Sequence, residues 1–322
     1  DSLKLQDIEF PKEIVDSFFG PKFGVQGIRK LLKVPKRPLI GTIVKPKLGL
    51  NESEHAEMAF KAWAGGCDIV KDDENLTSQS FNKFLIRVKE TLKQRDRAEK
   101  LTGEKKIYMP NITAETEEMI RRAKFVKSLG GEYVMVDILS CGWSAMETLR
   151  NHNEDLNLVI HAHRAGYAAL SRTKDHGISM LVIAKLARLV GVDQLHIGTV
   201  VGKMDTPREE VVNIDQEMEE QFAKKGKHIL EQNWYNIKPV FAVSSGGLHP
   251  GHIPYLVKTL GNNIIIQCGG GIHGHPFGTI AGARAARQAL EGTMKGISLS
   301  KYAKSRVELN TALNFFNKKV IR

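Results

Sequence analysis

From Pro38 onward, short apolar runs alternate with longer segments in which apolar residues recur at helical spacing. This alternation is typical of repeated βα units, whose strands form a parallel sheet. Eight such units within about 250 residues favour an α/β fold of the closed (β/α)8 TIM-barrel type over an open doubly wound sheet. The eight predicted strands are Leu39–Val44, Asp68–Lys71, Ile107–Asn111, Tyr133–Asp137, Leu156–His161, Gln194–Ile197, Val240–Ser244 and Ile264–Cys268.

The segment between the third and fourth strands shows one repeat in full. Thr113 is predicted to cap a helix, and Gly130 and Gly131 are predicted to end it. Four apolar residues at helical spacing would form its buried face: Met119, Ala123, Val126 and Leu129.

The same patterns predict the domain organisation. Residues 1–37 are predicted to be a leader into the barrel, since the stretch is too short for an independent domain. Residues 38–292 would form the barrel, and residues 293–322 would form a C-terminal helical extension.

Composition narrows the class of protein. The chain has 322 residues, of which 42% are hydrophobic, and no run approaches the roughly 20 apolar residues that a membrane helix needs. The charged start lacks the apolar core of a secretory signal, so we expect a soluble, cytoplasmic protein without a membrane partner. Cys67, Cys141 and Cys268 lack the spacing of a disulfide framework or a zinc site, which predicts small, buried apolar side chains.

The formal net charge of +11 raises the question of a nucleic-acid partner. The basic residues are scattered among acidic ones on helical stretches, which is typical of solvated helix faces. We therefore predict no nucleic-acid binding. A mildly basic field would still attract a small anionic metabolite.

Unusual polar residues cluster at the C-terminal ends of the predicted strands, where barrels of this class build their active sites. Lys71, Asp73 and Glu74 follow the second strand, and two carboxylates suit a hard cation such as Mg²⁺. Lys71 has two possible roles. It either neutralises the acids as a salt bridge, or it loses its proton and adds CO2 as a carbamate that offers a third oxygen.

Further polar groups follow other strands. Lys45 and Lys47 flank a proline after the first strand, either as surface charge or as an acid or base. The fifth strand ends in His161 and His163, with Arg164 placed to hold a phosphate. A lone histidine in a strand is usually a core residue, but two in step before an arginine favour a functional site.

The last three strands also end in candidate binding segments. His196 precedes a glycine-flanked loop whose tip carries Lys203, a segment suited to closing over a substrate. The seventh and eighth strands end in "SSGGLHPG" and "QCGGGIHGHP". Glycines let backbone N–H groups approach a phosphate closely, and a helix predicted to begin near Pro276 would add its N-terminal dipole.

Six motifs together resemble one family, in the same order from near Phe10 to about Glu291: "GTIVKPKLGL", "GGCDIVKDDEN", "HAHRAG", "HIGTVVGK", "VSSGGLHPG" and "QCGGGIHGHPFG". They look like the catalytic barrel of the large chain of ribulose-1,5-bisphosphate carboxylase/oxygenase (RuBisCO). "SSGGLHPG" and "NWYNIKPVF" are more similar to its archaeal form III. The resemblance implies Mg²⁺-dependent enolisation of ribulose 1,5-bisphosphate, followed by addition of CO2 or O2.

The resemblance also implies a role for each matching residue. Lys71, as a carbamate, would hold Mg²⁺ with Asp73 and Glu74. Lys45 would transfer the proton in enolisation, with Lys47 close beside it. The other implied residues are His163 as an acid/base group at the sugar hydroxyls, Lys203 as stabiliser of the carboxylated intermediate, Arg164, His196 and Ser245 at one phosphate, and Gly246, Gly247, Gly269 and Gly270 with Gln267 as further substrate-binding positions.

The chain departs from the family pattern at three places. Ile43 stands where the family usually has threonine, with Thr42 shifted by one position, and "MDTP" follows Lys203. The family also carries an N-terminal α+β domain before the barrel, and a partner subunit's copy completes each active site. We therefore expect a homodimer or higher homo-oligomer, and little carboxylase activity from the barrel alone.

Two alternatives remain. One is a RuBisCO-like enolase or isomerase of another phosphorylated sugar, and the other is a non-catalytic assembly fragment. The presence of every matching motif favours the carboxylase. Whether the pathway is carbon fixation or AMP salvage stays open.

Overall fold

The computed structural model describes residues 2–203, 207–227 and 229–318. Its eight main strands are β1 (Leu39–Ile43), β2 (Ile69–Lys71), β3 (Ile107–Met109), β4 (Tyr133–Asp137), β5 (Val159–His163), β6 (Gln194–Gly198), β7 (Phe241–Ser245) and β8 (Ile264–Gln267). They form one parallel sheet in the order β3-β2-β1-β8-β7-β6-β5-β4. A parallel bridge between Asn111 and Met135 joins β3 to β4 and completes the ring. The predicted (β/α)8 barrel is confirmed.

The helices surround this ring. They are α1 (Lys12–Asp16), α2 (Gly24–Leu32), α3 (Glu52–Ala64), α4 (Phe84–Thr102), α5 (Thr116–Ser128), α6 (Ile138–Cys141), α7 (Trp143–Leu156), α8 (Ala168–Ser171), α9 (Met180–Val190), α10 (Arg208–Glu219), α11 (Ile253–Leu260), α12 (Gly270–His273), α13 (Gly278–Met294), α14 (Leu299–Tyr302) and α15 (Val307–Lys318). Two short sheets pair Lys4–Leu5 with Gly177–Ile178 and Phe222–Ala223 with Gln232–Asn233. Two 3₁₀ turns lie at Pro250–His252 and Ala303–Ser305.

The apolar core has two main layers because successive side chains of a strand point to opposite faces. One layer fills the space between the strands and the surrounding helices. The other fills the barrel interior, where Val25, Ile28 and Leu32 of α2 pack against the inward side chains of the strands. Helix α2 thus closes one end of the barrel and leaves the opposite end, at the C-terminal ends of the strands, for a site.

Several predicted boundaries need correction. The fifth strand is Val159–His163 rather than Leu156–His161, because Leu156 is the last residue of α7. Asn157 follows in the left-handed conformation (φ 52°), which ends the helix. Helix α5 is capped by Glu115 rather than Thr113, since the Glu115 carboxylate accepts hydrogen bonds from the backbone N–H groups of the first turn.

Three smaller expectations can also be compared with the structure. All three cysteines are free thiols; Cys67 and Cys268 are buried, as predicted, whereas Cys141 is only partly buried. The C-terminal helices α14 and α15 both pack against α13. Within the described residues, no helix has both the length and the apolar character needed to span a lipid bilayer.

Candidate active site

A cavity of about 400 Å³ opens at the C-terminal end of the barrel. Residues from six of the strand ends contribute to its wall, together with the segment that follows β5. Its lining consists of Ile43, Lys45, Lys71, Glu74, His163, Arg164, Ala165, Gly166, Tyr167, Ala168, His196, Ser245, Gly246, Gly247, Gly269 and Gly270. Eleven of these sixteen positions are residues that the sequence patterns and the resemblance had singled out.

Lys71 is the most deeply buried cation in the cavity wall, with 1% of its surface exposed. Its Nζ donates to the backbone oxygen of Asp72 (2.8 Å) and lies 3.6 Å from Oε2 of Glu74. Burial lowers the pKa of the Lys71 ammonium, although the negative charges of Glu74 and Asp73 oppose that shift. The geometry therefore favours an amine that loses its proton more readily than an exposed lysine.

Asp73 and Glu74 remain ionised beside this lysine. Burial raises the pKa of Asp73, but hydrogen bonds from Lys45 and Asn75 outweigh it, and the net shift of that pKa is downward. Burial likewise opposes ionisation of Glu74, yet the charges of Lys71 and His163 lower its pKa overall. Two carboxylates held in the charged form are suitable oxygen ligands for a hard divalent cation.

The described residues contain no group of three His, Cys, Asp or Glu side chains arranged to hold a metal ion. Asp73 and Glu74 lie beside the amine of Lys71 at this end of the barrel. These residues fit Mg²⁺ once Lys71 carries an oxygen donor, because Mg²⁺ prefers carboxylate-type oxygens to an amine.

Lys45 and Lys47 are separated by the fold. Nζ of Lys45 donates to Oδ2 of Asp73 at 2.7 Å and lies in the cavity wall. Lys47 is exposed and lines a separate, smaller depression that Asp73 shares. Of the two lysines, only Lys45 borders the cavity itself.

His163 lies between two carboxylates. Its Nδ1 is 3.0 Å from Oδ1 of Asp137, and its Nε2 is 3.7 Å from Oε2 of Glu74. The His163 ring packs edge-on against His196 with ring centres 5.3 Å apart. By contrast, the His161 ring is fully buried below the cavity, where its Nδ1 pairs with Oε1 of Gln194 at 3.1 Å. His161 is therefore a core residue, and of the two histidines of β5 only His163 borders the cavity.

Arg164 places a buried positive charge in the cavity wall. Its Nε donates to Nδ1 of His196 at 3.1 Å, and the guanidinium lies over the ring of Tyr167. Its Nη1 and Nη2 are buried and have no hydrogen-bond partner among the described residues. Burial lowers the pKa of His196 well below its usual value, and the charge of Arg164 adds to that effect. A buried guanidinium with two unpaired nitrogens is well suited to an anionic ligand.

The glycine turns after β7 and β8 lie next to each other and next to the Lys203 loop. The backbone N–H of Lys203 donates to the oxygen of Gly246 at 3.2 Å. A Cβ at Gly247 would come within 2.7 Å of the Lys203 side chain, and a Cβ at Gly271 within 2.2 Å of a backbone oxygen. Only glycine fits these close approaches. A short helix, α12, starts at Gly270 within the second turn, and the helix predicted to begin near Pro276 is α13, which starts at Gly278.

Some predicted residues lie outside the cavity wall. Lys203 is exposed on its loop, and Gln267 is buried inside the barrel, where neither its Nε2 nor its Oε1 has a hydrogen-bond partner in the described part of the chain. In the departing "MDTP" sequence after Lys203, Met204, Asp205 and Thr206 lie outside the described residues.

Sequence reasoning missed two contributors to the site. Asp137 ends β4 and pairs with His163, and the rule that polar residues at strand ends build the site would have found it. Tyr167 lies in the segment after β5 and lines the cavity. No signal marked Tyr167, because a loop aromatic is not distinguished by spacing.

Comparisons with known proteins agree with this geometry. Residues 24–316 match the family model for the ribulose bisphosphate carboxylase large chain, catalytic domain. The ribulose bisphosphate carboxylase of Methanosarcina mazei is 56% identical over 322 residues, which cover 99% of this chain and 75% of that protein.

Solved structures show the same likeness. A dimeric archaeal Rubisco from Hyperthermus butylicus superposes with a TM-score of 0.92 at 46% identity, covering 97% of this chain and 73% of that one. An octameric Rubisco from Pyrococcus horikoshii, crystallised with sulfate ion, gives 0.90 at 47% identity, covering 98% and 71%. Both the fold and the sequence therefore place this chain in the family of ribulose bisphosphate carboxylase large chains.

Proposed function

We propose that this chain is the catalytic barrel of a ribulose-1,5-bisphosphate carboxylase, which adds CO2 to ribulose 1,5-bisphosphate and yields 3-phosphoglycerate. One observation carries the proposal: the buried amine of Lys71 lies 3.6 Å from a Glu74 carboxylate at the mouth of a barrel cavity. Fold and family membership support the same activity.

Lys71 would react with CO2 because burial favours its neutral, nucleophilic amine. Its nitrogen forms the N–C bond, the displaced proton leaves to solvent, and the product is a carbamate anion. Asp73, Glu74 and this carbamate would hold Mg²⁺. When bound, Mg²⁺ polarises the substrate oxygens and stabilises the negative charge that enolisation creates.

Lys45 and His163 would handle protons during the reaction. The Lys45 side chain lies beside Asp73 and close to Gly269, within the cavity that the sugar would occupy. Asp137 fixes the ring of His163 through Nδ1, so Nε2 faces the cavity side and Glu74. These two groups are suited to proton transfer at the reacting carbon and at the sugar hydroxyls.

Two anion-binding regions would hold the phosphates. Arg164, with His196 and Ser245, supplies one of them, and the unpaired guanidinium nitrogens support this assignment. The glycine turn of Gly269 and Gly270 supplies the other, with Gly246 and Gly247 nearby. Gripping a five-carbon substrate at both ends would orient it for reaction and contribute to the rate. Lys47 and Gln267 would contribute to substrate binding from positions that do not line the cavity.

The protein would work as a homo-oligomer. The similar archaeal structures are described as dimeric and octameric. We propose that a partner subunit contributes an N-terminal domain that completes each active site, and that O2 competes with CO2 for the enediolate.

The test is Mg²⁺-dependent incorporation of labelled bicarbonate into acid-stable product with ribulose 1,5-bisphosphate. The assembled protein should fix carbon, and the Lys71→Ala variant should lose this activity because it cannot form the carbamate. Lys106→Met is a matched control, since Lys106 is equally buried but pairs with Glu104 rather than with a cavity residue. Enolisation without fixation by the unsubstituted protein would contradict the proposal and support an isomerase.

A further inference from the structure

We propose that Arg87 and Asp72 form a positioning pair that holds the segment Lys71–Glu74 in the geometry needed to bind Mg²⁺. This inference rests on the proposed metal site and adds two residues that do not border the cavity. Neither would touch the metal or the substrate.

Asp72 points away from the cavity, because it alternates with Lys71 and Asp73 along the chain. Its side chain is completely buried and contacts four groups. Oδ1 accepts a hydrogen bond from the hydroxyl of Tyr108 (2.7 Å) and lies 3.0 Å from Nε2 of His55. Oδ2 accepts from Nε of Arg87 and from the backbone N–H of Asn111, both at 3.0 Å.

These contacts come from three different elements. His55 lies in α3, Arg87 in α4 and Tyr108 in β3. One carboxylate therefore joins the strand end that carries the proposed ligands to two helices and a neighbouring strand. Because Asp72 lies between Lys71 and Asp73, any movement of its backbone must displace both of them.

Arg87 holds the other side of the same segment. It is fully buried, and its guanidinium uses all three nitrogens. Besides Nε on Asp72, Nη1 donates to Oδ1 of Asn82 at 2.9 Å and Nη2 donates to the oxygen of Thr77 at 2.8 Å. The loop that follows Glu74 is thus tied to the same side chain that binds Asp72.

Two further hydrogen bonds extend this arrangement to other parts of the site. Nδ2 of Asn82 donates to the oxygen of Leu50 at 2.9 Å, at the end of the segment that begins with Lys45. Nδ2 of Asn111 donates to the oxygen of Glu74 at 3.1 Å. The pair therefore constrains the backbone on both sides of the proposed ligands.

A positioning role follows from the requirements of the ion. Mg²⁺ demands nearly ideal octahedral geometry, so small displacements of its ligands weaken binding. Removing a residue that orients a metal ligand without touching the metal typically lowers the affinity for the metal by about 10- to 100-fold. Lysine cannot replace Arg87, because an ammonium lacks the planar fork that reaches three acceptors in fixed directions.

The experiment measures Mg²⁺ affinity directly, by calorimetry in the presence of bicarbonate, and the Lys71 carbamate by carbon-13 NMR. Arg87→Met and Asp72→Asn in the assembled protein should each weaken Mg²⁺ binding by about 10- to 100-fold and reduce the carbamate signal at a given Mg²⁺ concentration. In the double variant the loss of Mg²⁺ binding free energy should be smaller than the sum of the two single losses, because both substitutions remove the same Arg87–Asp72 contact.

Arg95→Met is the matched control. Arg95 lies on the same helix and is also buried, but it binds Asp96 and the oxygen of Gly130, away from the ligand segment. It should lower thermal stability without changing Mg²⁺ affinity. If Arg87→Met does not fold, Asp72→Asn still tests the Arg87–Asp72 contact, and the milder Tyr108→Phe tests whether the anchoring of Asp72 matters, since it removes the hydrogen bond from Tyr108 to Oδ1.

The outcomes separate two failures. If the unsubstituted protein binds no Mg²⁺ in bicarbonate, the proposed metal site is wrong. If it binds Mg²⁺ and the folded variants bind it equally well, or if Arg95→Met weakens binding as much, the positioning pair is wrong.

Discussion

At the scale of single residues, buried ionisable groups in this barrel differ in what surrounds them. Lys71 lies beside carboxylates at a cavity, whereas the Asp215 carboxyl of α10 is buried and its Oδ1 has no hydrogen-bond partner within the described residues. A buried lysine beside carboxylates is typical of a functional site. A buried carboxyl oxygen without a hydrogen-bond partner instead lowers the stability of the fold. The two can be tested separately.

Removing the Lys203 side chain should impair carboxylation far more than enolisation. Lys203 lies on the loop against Gly246 and Gly247, where an ammonium would stabilise the carboxylated intermediate rather than the enediolate. We expect Lys203→Ala to reduce carbon fixation by about 10²- to 10³-fold, the usual effect of losing one transition-state donor. Proton exchange at the substrate carbon measures enolisation, and Lys224→Ala, another exposed lysine, is the control. Equal loss of both steps would contradict this role.

Asp215 makes stability depend on pH. Burial raises its pKa to about 8, and the negative charge of Glu219 adds to the shift. Between pH of about 4 and 8 the unfolded chain ionises this carboxyl while the folded chain keeps it protonated, so stability falls as pH rises through that window.

The Asp215→Asn variant cannot ionise and should be more stable than the unsubstituted protein at pH 8 by several kcal/mol, because each unit by which folding raises the carboxyl pKa costs about 1.4 kcal/mol once the unfolded chain is ionised. The difference should shrink towards pH 4. Denaturant unfolding across this range measures it, and a difference that does not vary with pH would exclude Asp215 as its source.

At the scale of elements, α3 illustrates how local signals start a helix. The Asn51 side chain accepts a hydrogen bond from the backbone N–H of Glu54, whose own carboxylate accepts from the N–H of Asn51. This reciprocal cap satisfies two groups that the helix itself cannot pair. Helix α3 in turn packs against α4 and carries His55 to Asp72.

Asn51→Ala should reduce the free energy of unfolding by about 1 kcal/mol, the usual effect of losing an N-cap side chain. Asn51→Asp keeps the accepting oxygen and serves as the control. Chemical denaturation of both variants checks the prediction, and equal destabilisation by the two would show that the cap is not responsible.

Element boundaries show where local reasoning fails. The apolar character of Leu156 suggested a strand, yet this residue belongs to α7, and the left-handed Asn157 separates it from β5. Thr113 has the chemistry of a helix cap, but its hydroxyl donates to Oδ1 of Asn111 at 2.6 Å instead. In both cases the folded chain gives the residue a role that differs from the one its local sequence suggests.

At the scale of the whole molecule, α2 closes the end of the barrel opposite the site. Ile28 of this helix is fully buried against the inner residues of the strands. Ile28→Ala should destabilise the fold by about 2–5 kcal/mol, because it leaves a cavity that the surrounding strands cannot fill. Thermal unfolding measures the effect, and Ile28→Val should cost only about 0.5–1.5 kcal/mol. Mg²⁺ affinity should stay unchanged, since the site lies at the other end of the barrel.

The sequence by itself determined the alternation of strands and helices, the barrel class and most residues around the cavity. Hydrophobic periodicity is a local property, and the C-terminal end of each strand can be read from its own segment. Only the tertiary structure decided which side chains meet: Lys45 with Asp73, Asp137 with His163, and Arg87 with Asp72, at separations of 28, 26 and 15 positions along the chain. These pairs depend on strand register, helix packing and closure of the sheet, which bring distant segments together and which no local pattern encodes.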